Sequence, residues 1–152
     1  MSRVPHASFL ADFGDGSHEA PGRAFAQRLA AALLQLGFDS APPEPWRDVG
    51  WTVTGSSTDE SFEVLLSRIE DKADPDGEHE YLLAVSPRRM GSWWSNLFGK
   101  HDAEHDDDLR RVAEAVHREL VATGAKHVEW FWNGIPRALE SAPTPDQLSW
   151  SA

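Results

Sequence analysis

The sequence contains no cysteine among its 152 residues. Disulfide bonds, thiol nucleophiles and thiolate metal sites are therefore excluded, and a reducing compartment fits this composition. Long apolar runs are also missing, since the longest, 29–34, is far short of the ~20 residues of a membrane span. Residues 1–12 lack the apolar stretch of a signal peptide. These features predict a soluble protein of the cytoplasm.

Positive charge is scarce. Fourteen Lys and Arg residues stand against 25 Asp and Glu residues, which gives a formal net charge of −11. Such a field repels phosphate backbones and anionic lipid headgroups. The composition therefore predicts neither nucleic-acid nor membrane binding, and it favours a basic partner over an acidic one.

What remains is ordinary globular composition, with 40% apolar and 26% charged residues. A chain of this length fits one domain. We predict a single domain over residues 1–136, followed by an extended or partly disordered tail over residues 137–152.

Two segments have apolar residues at three- and four-residue spacing, which is typical of amphipathic helices. The first runs from about Pro21 to Gly37, and the second from about Asp106 to Gly124. The glycines supply the left-handed residue that commonly ends a helix. The predicted core residues of the helices and strands are Leu29, Leu33, Phe62, Val64, Val112, Val116 and Trp130.

Strand-like alternation occurs near residues 4–13, 51–54, 62–67, 81–86 and 126–132. Short turns between the middle segments indicate antiparallel pairing. The sequence therefore predicts an α+β fold of order β-α-β-β-β-α-β, with a mostly antiparallel sheet and both helices on one face. This order, together with the acidity, is similar at the level of fold alone to small bacterial chaperones of secreted effectors and to small immunity proteins, and a fold does not fix a function.

Residues 101–105 read His-Asp-Ala-Glu-His and match the H-x-x-E-H zinc motif of inverzincin proteases. That chemistry needs both imidazoles on one helical face and a third ligand from elsewhere. The motif instead falls in the acidic connector before the second predicted helix. His101, Glu104 and His105 are therefore weak metal candidates, and no metal or cofactor is predicted.

Other short matches to catalytic or metal-binding motifs lack the accompanying residues that each motif requires. Residues 74–77 lack the acidic partners of a calcium loop. Asp12-Phe13-Gly14 has no kinase motifs around it, Gly99-Lys100 lacks the first glycine of a P-loop, and no G-x-S-x-G is present. The chain is therefore predicted to have no catalytic residues, and a non-enzymatic role is favoured.

Residues 88–98 join a basic pair to an aromatic stripe. The apolar members recur at the spacing of one face of a short helix. Aromatic residues, Met and Arg are enriched at the cores of protein–protein contacts. The alternative is that the stripe packs on the sheet as part of the core, because large exposed apolar patches are rare on monomers. The predicted partner-binding residues are Arg88, Arg89, Met90, Trp93, Trp94, Leu97 and Phe98.

Two functions stay open. The first is a non-enzymatic binding protein acting through protein–protein contacts, of an immunity, inhibitor or chaperone kind. The second is a small-molecule-binding or metal-dependent activity that uses a tryptophan-lined pocket. Trp51, Trp130 and Trp132 fall in predicted strands at core positions, which favours packing over a pocket.

The stripe generates a stability prediction. Adjacent helical residues lie about 100° apart, so Trp93 and Trp94 are not expected to be equally buried. Trp94 has Met90 and Phe98 at i−4 and i+4, so we expect Trp94→Ala to cost about 3–5 kcal/mol. Trp93→Ala should stay within about 0.5 kcal/mol of wild type. Thermal melts compare the two, and equal large losses would place the stripe in the core.

Overall fold

The computed structural model describes residues 4–13, 22–47, 50–57, 61–69, 78–88, 103–132 and 141–148. Its strands are β1 (Pro5–Ala11), β2 (Asp39–Ser40), β3 (Glu44–Trp46), β4 (Gly50–Ser56), β5 (Ser61–Arg68), β6 (His79–Arg88) and β7 (Lys126–Trp132). Its helices are α1 (Arg23–Gln35) and α2 (Ala103–Ala122), and a 3₁₀ turn covers Pro145–Gln147.

The strands form one antiparallel sheet in the order β2-β4-β5-β6-β1-β7, and β3 also pairs with β4. The chain passes from β1 through α1 to the far edge and returns as a meander to β6. It then crosses β1 through α2 to reach β7. The predicted α+β class and its element order are confirmed in outline, with two additional short strands.

The additional strands, β2 and β3, lie between α1 and β4, where the sequence showed no strand-like alternation. Residues 39–40 pair with 55–56, and residues 44–46 pair with 50–52, so both lie along the same edge of β4. Pro45 is tolerated there because an edge strand has one side that donates no ladder hydrogen bond.

The opposite edge of the sheet is β7, and the C-terminal segment pairs with it. The Trp130 backbone N–H donates to the Ala142 carbonyl at 2.7 Å, and the Ala142 N–H donates to the Trp130 carbonyl at 2.9 Å. Ala142 and Leu148 are both buried. Residues 141–148 thus pack against the domain.

Both helices pack on one face of the sheet, as predicted. Every core residue named from the sequence is at most 2% exposed, so those predictions are confirmed. The helices also contact each other, and the Arg28 guanidinium meets the Glu119 carboxylate at 2.9 Å. The strand residues that face the helices include Phe62, Val64, Leu66, Leu83, Val85 and Trp130.

Both helices end in the same hydrogen-bonded motif, at the glycines that the sequence indicated. The Phe38 N–H donates to the Leu33 carbonyl at 3.1 Å, and Gly37 between them has φ 96°. The Ala125 N–H donates to the Leu120 carbonyl at 3.0 Å, and Gly124 has φ 83°. This is the Schellman arrangement, which requires a left-handed residue at the glycine position.

The start of α2 differs from the prediction. The helix begins at Ala103 rather than near Asp106. Alanine and glutamate at 103 and 104 are good helix formers, and acidic residues suit any position in the first turn. The zinc-like motif therefore overlaps the first turn of the helix and does not lie wholly in a connector.

The face assignment of α1 is testable with adjacent leucines. Leu33 is 1% exposed and Leu34 is 56% exposed. We expect Leu33→Ala to lower the free energy of unfolding by about 2–5 kcal/mol, because it leaves a cavity in the core. Leu34→Ala should change it by no more than about 0.5 kcal/mol. Urea denaturation measures both, and similar losses for the two variants would contradict this packing.

Candidate functional site

The sheet face opposite the two helices, called the open face below, carries an unexpected amount of apolar surface. One row of cross-strand neighbours runs Thr52, Leu65, Ala84, His6 and Phe131 in direct register across five strands. No helix among the described residues packs on this face. A solvated face of an antiparallel sheet is ordinarily polar.

The apolar residues of the open face form a continuous strip. It is defined as Leu10, Leu65, Ile69, Leu82 and Ala84. Four of its members are half-buried, and Ile69 is 42% exposed. Directly opposite and diagonal residues on neighbouring strands are close enough to interact, so these side chains form one surface.

Acidic residues lie beside the apolar strip and also within it, where Glu80 pairs directly with Leu10. Glu63, Glu80 and Glu129 occupy the outward positions of β5, β6 and β7, at the same parity as Leu65 and Leu82. All three are half-buried. The open face therefore interleaves apolar side chains with carboxylates, and Lys126 lies opposite Leu10.

His6 lies beside the strip, and its ring is engaged by two neighbouring groups. Its ring stacks on Phe131 with centroids 5.7 Å apart, and its Nδ1 lies 2.9 Å from the Val4 carbonyl oxygen. A carbonyl only accepts, so Nδ1 carries the proton. Burial lowers the pKa of His6, an effect that the Val4 hydrogen bond partly opposes.

A second histidine is engaged on the helix side of the sheet. The buried Trp130 Nε1 donates to His117 Nδ1 at 3.0 Å. Indole is a donor only, so Nδ1 must be unprotonated. Burial lowers the pKa of His117, and the Asp146 charge partly opposes that effect. This geometry gives His117 a packing role between α2 and β7.

Asp146 connects the C-terminal turn to α2. The Thr144 side chain, followed by the Arg110 and His117 charges, keeps the pKa of Asp146 below its ordinary value. The Arg110 guanidinium also donates to the Asp146 carbonyl oxygen at 3.4 Å. His117, Trp130 and Asp146 therefore join three elements, which is a structural role.

The site residues predicted from the sequence stand as follows. Arg88 is the last residue of β6, and Arg89, Met90, Trp93, Trp94, Leu97 and Phe98 lie outside the described residues. His101 also lies outside them, and the side chains of Glu104 and His105 are not described. Across the described ranges, no group of three His, Asp or Glu side chains is placed to hold a metal ion.

The three tryptophans of β4 and β7 belong to the core, whereas Trp46 of β3 is half-buried. Trp51 is 6% exposed, Trp130 is 0% exposed and Trp132 is 2% exposed. Trp130 lies in register with Ala7 on the face that the helices cover. Their packing against the helices favours the structural interpretation over a tryptophan-lined pocket.

Comparisons with protein-family models, with curated proteins and with solved structures found no match to this chain. Within the described part of the chain, neither helix is long and apolar enough to cross a bilayer.

Sequence reasoning missed the open face, although part of its signal was visible. Leu65, Leu82 and Ala84 stood at outward positions of their predicted strands, where polar residues are the rule. Apolar alternation along a single strand does not show which strands are neighbours in the sheet. Here β1 inserts between β6 and β7. That insertion brings Leu10 and His6 beside Leu82 and Ala84.

The His117–Trp130 hydrogen bond predicts how stability depends on pH. Because the pKa of His117 is lowered in the folded state, its contribution is fully present well above pH 6.5 and is lost as pH falls below that value. His117→Gln keeps an acceptor oxygen for the Trp130 indole but does not titrate. We expect the variant to lose less stability than wild type between pH 7 and pH 5.

Urea midpoints measured at pH 8, 7, 6 and 5 test this expectation. His117→Ala is the complementary variant, since it leaves a buried indole N–H without its acceptor and should cost about 1–3 kcal/mol at pH 8. Parallel pH profiles for wild type and His117→Gln would show that His117 does not contribute to acid sensitivity.

Proposed function

We propose that the chain is a cytoplasmic, non-enzymatic binding protein that acts through protein–protein contacts, with the open face as its contact surface. The observation that carries this proposal is the apolar strip of Leu10, Leu65, Ile69, Leu82 and Ala84 on the sheet face opposite the helices. Contiguous apolar surface rimmed by polar groups is typical of interaction sites on soluble proteins.

The strip is well suited to binding because its residues are held in fixed positions. Leu65, Leu82 and Leu10 lie on three hydrogen-bonded strands of the same sheet, so their spacing is fixed before a partner arrives. A pre-organised surface loses less conformational entropy on association. An apolar centre within a polar rim is also the usual anatomy of a protein–protein interface.

The charged residues of the open face indicate the chemistry of the partner. Glu63, Glu80 and Glu129 lie beside or within the strip, and the whole chain has a net charge of −11. The partner is therefore a protein with an apolar anchor ringed by Lys and Arg. Complementary charge of this kind mainly raises the association rate and the specificity.

The engagement of two half-buried histidines, His6 and His117, supports a non-enzymatic role. His6 hydrogen-bonds to the Val4 carbonyl, and His117 accepts from the Trp130 indole. The two rings lie on opposite faces of the sheet, so they do not form one reacting centre. Each ring has a structural hydrogen-bond partner, and burial lowers the pKa of both histidines.

The sequence-predicted contact residues remain part of this proposal. Residues 89–98 follow β6 directly in the chain, and β6 carries Leu82 and Ala84 of the strip. Their contribution stays a prediction, to be separated from that of the open face by testing Trp93→Ala beside the strip variants.

The open face is tested by charge substitution with a matched control. Leu65→Lys and Leu82→Lys place a cation in the apolar strip, and the long aliphatic stem lets each variant fold. Leu34→Lys makes the same change on the exposed side of α1, where Leu34 is 56% exposed. Thermal melts should show all three variants folded.

Binding is then measured against the partner that wild-type protein captures from its native host, purified and titrated by calorimetry. We expect Leu65→Lys and Leu82→Lys to weaken binding by about 30-fold or more, as hot-spot changes do. Leu34→Lys should bind like wild type, and wild-type association should slow as salt increases. Loss of binding in Leu34→Lys alone would place the interface on the helix side and refute the proposal.

A further inference from the structure

A second group of polar side chains lies on the helix-covered face, at the end of the sheet where β1 finishes and β6 begins. Arg68 and Tyr81 are direct cross-strand neighbours, and His79 is paired with Ala11. The parity of β5 and β6 places all three on the face that otherwise carries Leu66 and Leu83. We call Arg68, His79 and Tyr81 the polar cluster.

Two members of the polar cluster are deeply enclosed. Tyr81 is 0% exposed and His79 is 7% exposed. In the described part of the chain, neither the Tyr81 hydroxyl nor His79 Nδ1 has a hydrogen-bond partner. Native proteins satisfy most of their buried polar groups, so two such atoms in one place require an explanation.

The chemistry of the polar cluster is that of hydrogen-bond donors. Burial, the largest cause, raises the pKa of Tyr81 to about 12, while nearby Arg68 lowers it and Asp12 raises it. The hydroxyl therefore keeps its proton at neutral pH and can donate. Arginine is a donor only, and a neutral imidazole has one donating nitrogen. Such a set fits an oxygen acceptor.

Aromatic rings adjoin these donors. The Phe13 and Tyr81 ring centroids are 4.9 Å apart, and Phe9 stacks on Tyr81 at 5.7 Å. Phe13 also stacks on Phe25 at 5.0 Å. Phe13 and Arg68 are half-buried whereas Phe9 and Phe25 are buried, so the Phe13 and Arg68 side is the accessible one.

We propose that the polar cluster binds a small monocarboxylate with a flat apolar body. The planar guanidinium of Arg68 matches a carboxylate, and the Tyr81 hydroxyl and His79 can complete the hydrogen bonding. The half-buried Phe13 ring offers a surface for the apolar body. A singly charged ligand suits a chain of net charge −11 with Asp12 nearby better than a phosphate of higher charge.

This site is independent of the proposed contact surface. The polar cluster lies on the helix-covered face, whereas Leu65 and the rest of the apolar strip lie on the open face. A variant that abolishes partner binding through the strip should therefore leave carboxylate binding unchanged.

Three probes separate the ligand chemistries: benzoate, acetate and inorganic phosphate, each titrated into the purified full chain at neutral pH. We expect benzoate at about 100 times its Kd to raise Tm by about 5 °C or more, through preferential binding to the folded state. Acetate should bind more weakly because it lacks the flat body, and phosphate should give no shift.

Tyr81→Phe is the decisive variant because it removes only the hydroxyl oxygen. Without ligand, we expect its Tm to equal or exceed that of wild type, since deleting an enclosed unpartnered hydroxyl removes a desolvation penalty. Its benzoate affinity should fall about 10-fold. Arg68→Lys keeps the charge but loses the planar fork, and should weaken benzoate to a similar extent.

Thr52→Val, a change of a hydroxyl on the open face, and Leu65→Lys serve as controls that should keep the benzoate response. A lower Tm for Tyr81→Phe without ligand would show that the hydroxyl is already satisfied, and would overturn the proposal. The proposal would also be overturned if benzoate left the Tm of the wild type unchanged, or if phosphate alone raised that Tm.

Discussion

The rest of the structure depends on one packing constraint: both helices lie on the same side of a single antiparallel sheet. Leu29 and Leu33 of α1, and Val112 and Val116 of α2, are buried against the inward residues of the strands. Burial of that apolar surface is the main driving force for folding. It also fixes the register of the strands, because a slip by one residue would turn every inward side chain outward.

The two helices cover one face of the sheet. The composition of the other face therefore needs a separate explanation. A sheet whose second face is merely solvated would carry polar residues there, yet the outward positions of β5 and β6 include Leu65, Leu82 and Ala84. Within the described part of the chain, no helix covers Leu65, Leu82 and Ala84, which is why they carry the proposal of a contact surface. The same constraint makes the enclosed hydroxyl of Tyr81 conspicuous, since it lies among residues selected for apolar packing.

Features that depend on local sequence could be predicted, and features that depend on strand neighbours could not. Gly37 and Gly124 marked both helix ends because the left-handed position of the Schellman motif is a local requirement. The core residues followed from periodicity alone. In contrast, β2 has two residues and β3 has three, and such short strands exist only through their pairing with β4. The start of α2 was placed too late because several adjacent residues suit a first turn equally well.

The candidate sites depend on which strands are neighbours, so they could not be predicted from the sequence. Arg68 ends β5 whereas His79 and Tyr81 belong to β6, and only the strand register brings Arg68 opposite Tyr81. Likewise, Leu10 joins the strip only because β1 inserts beside β6. Sequence periodicity gives the face of each residue, but it does not give the order of the strands.

The two borders of the sheet have a consequence for self-association. One border consists of the interrupted strands β2 and β3, with Pro45 in the middle of β3, and the other is β7, whose Trp130 backbone already bonds to Ala142. Neither border is a long, flat template on which another copy could add a strand. At the described edges, ribbon-like polymerisation through backbone hydrogen bonds is thereby disfavoured, so an association of two copies there would rely on side chains.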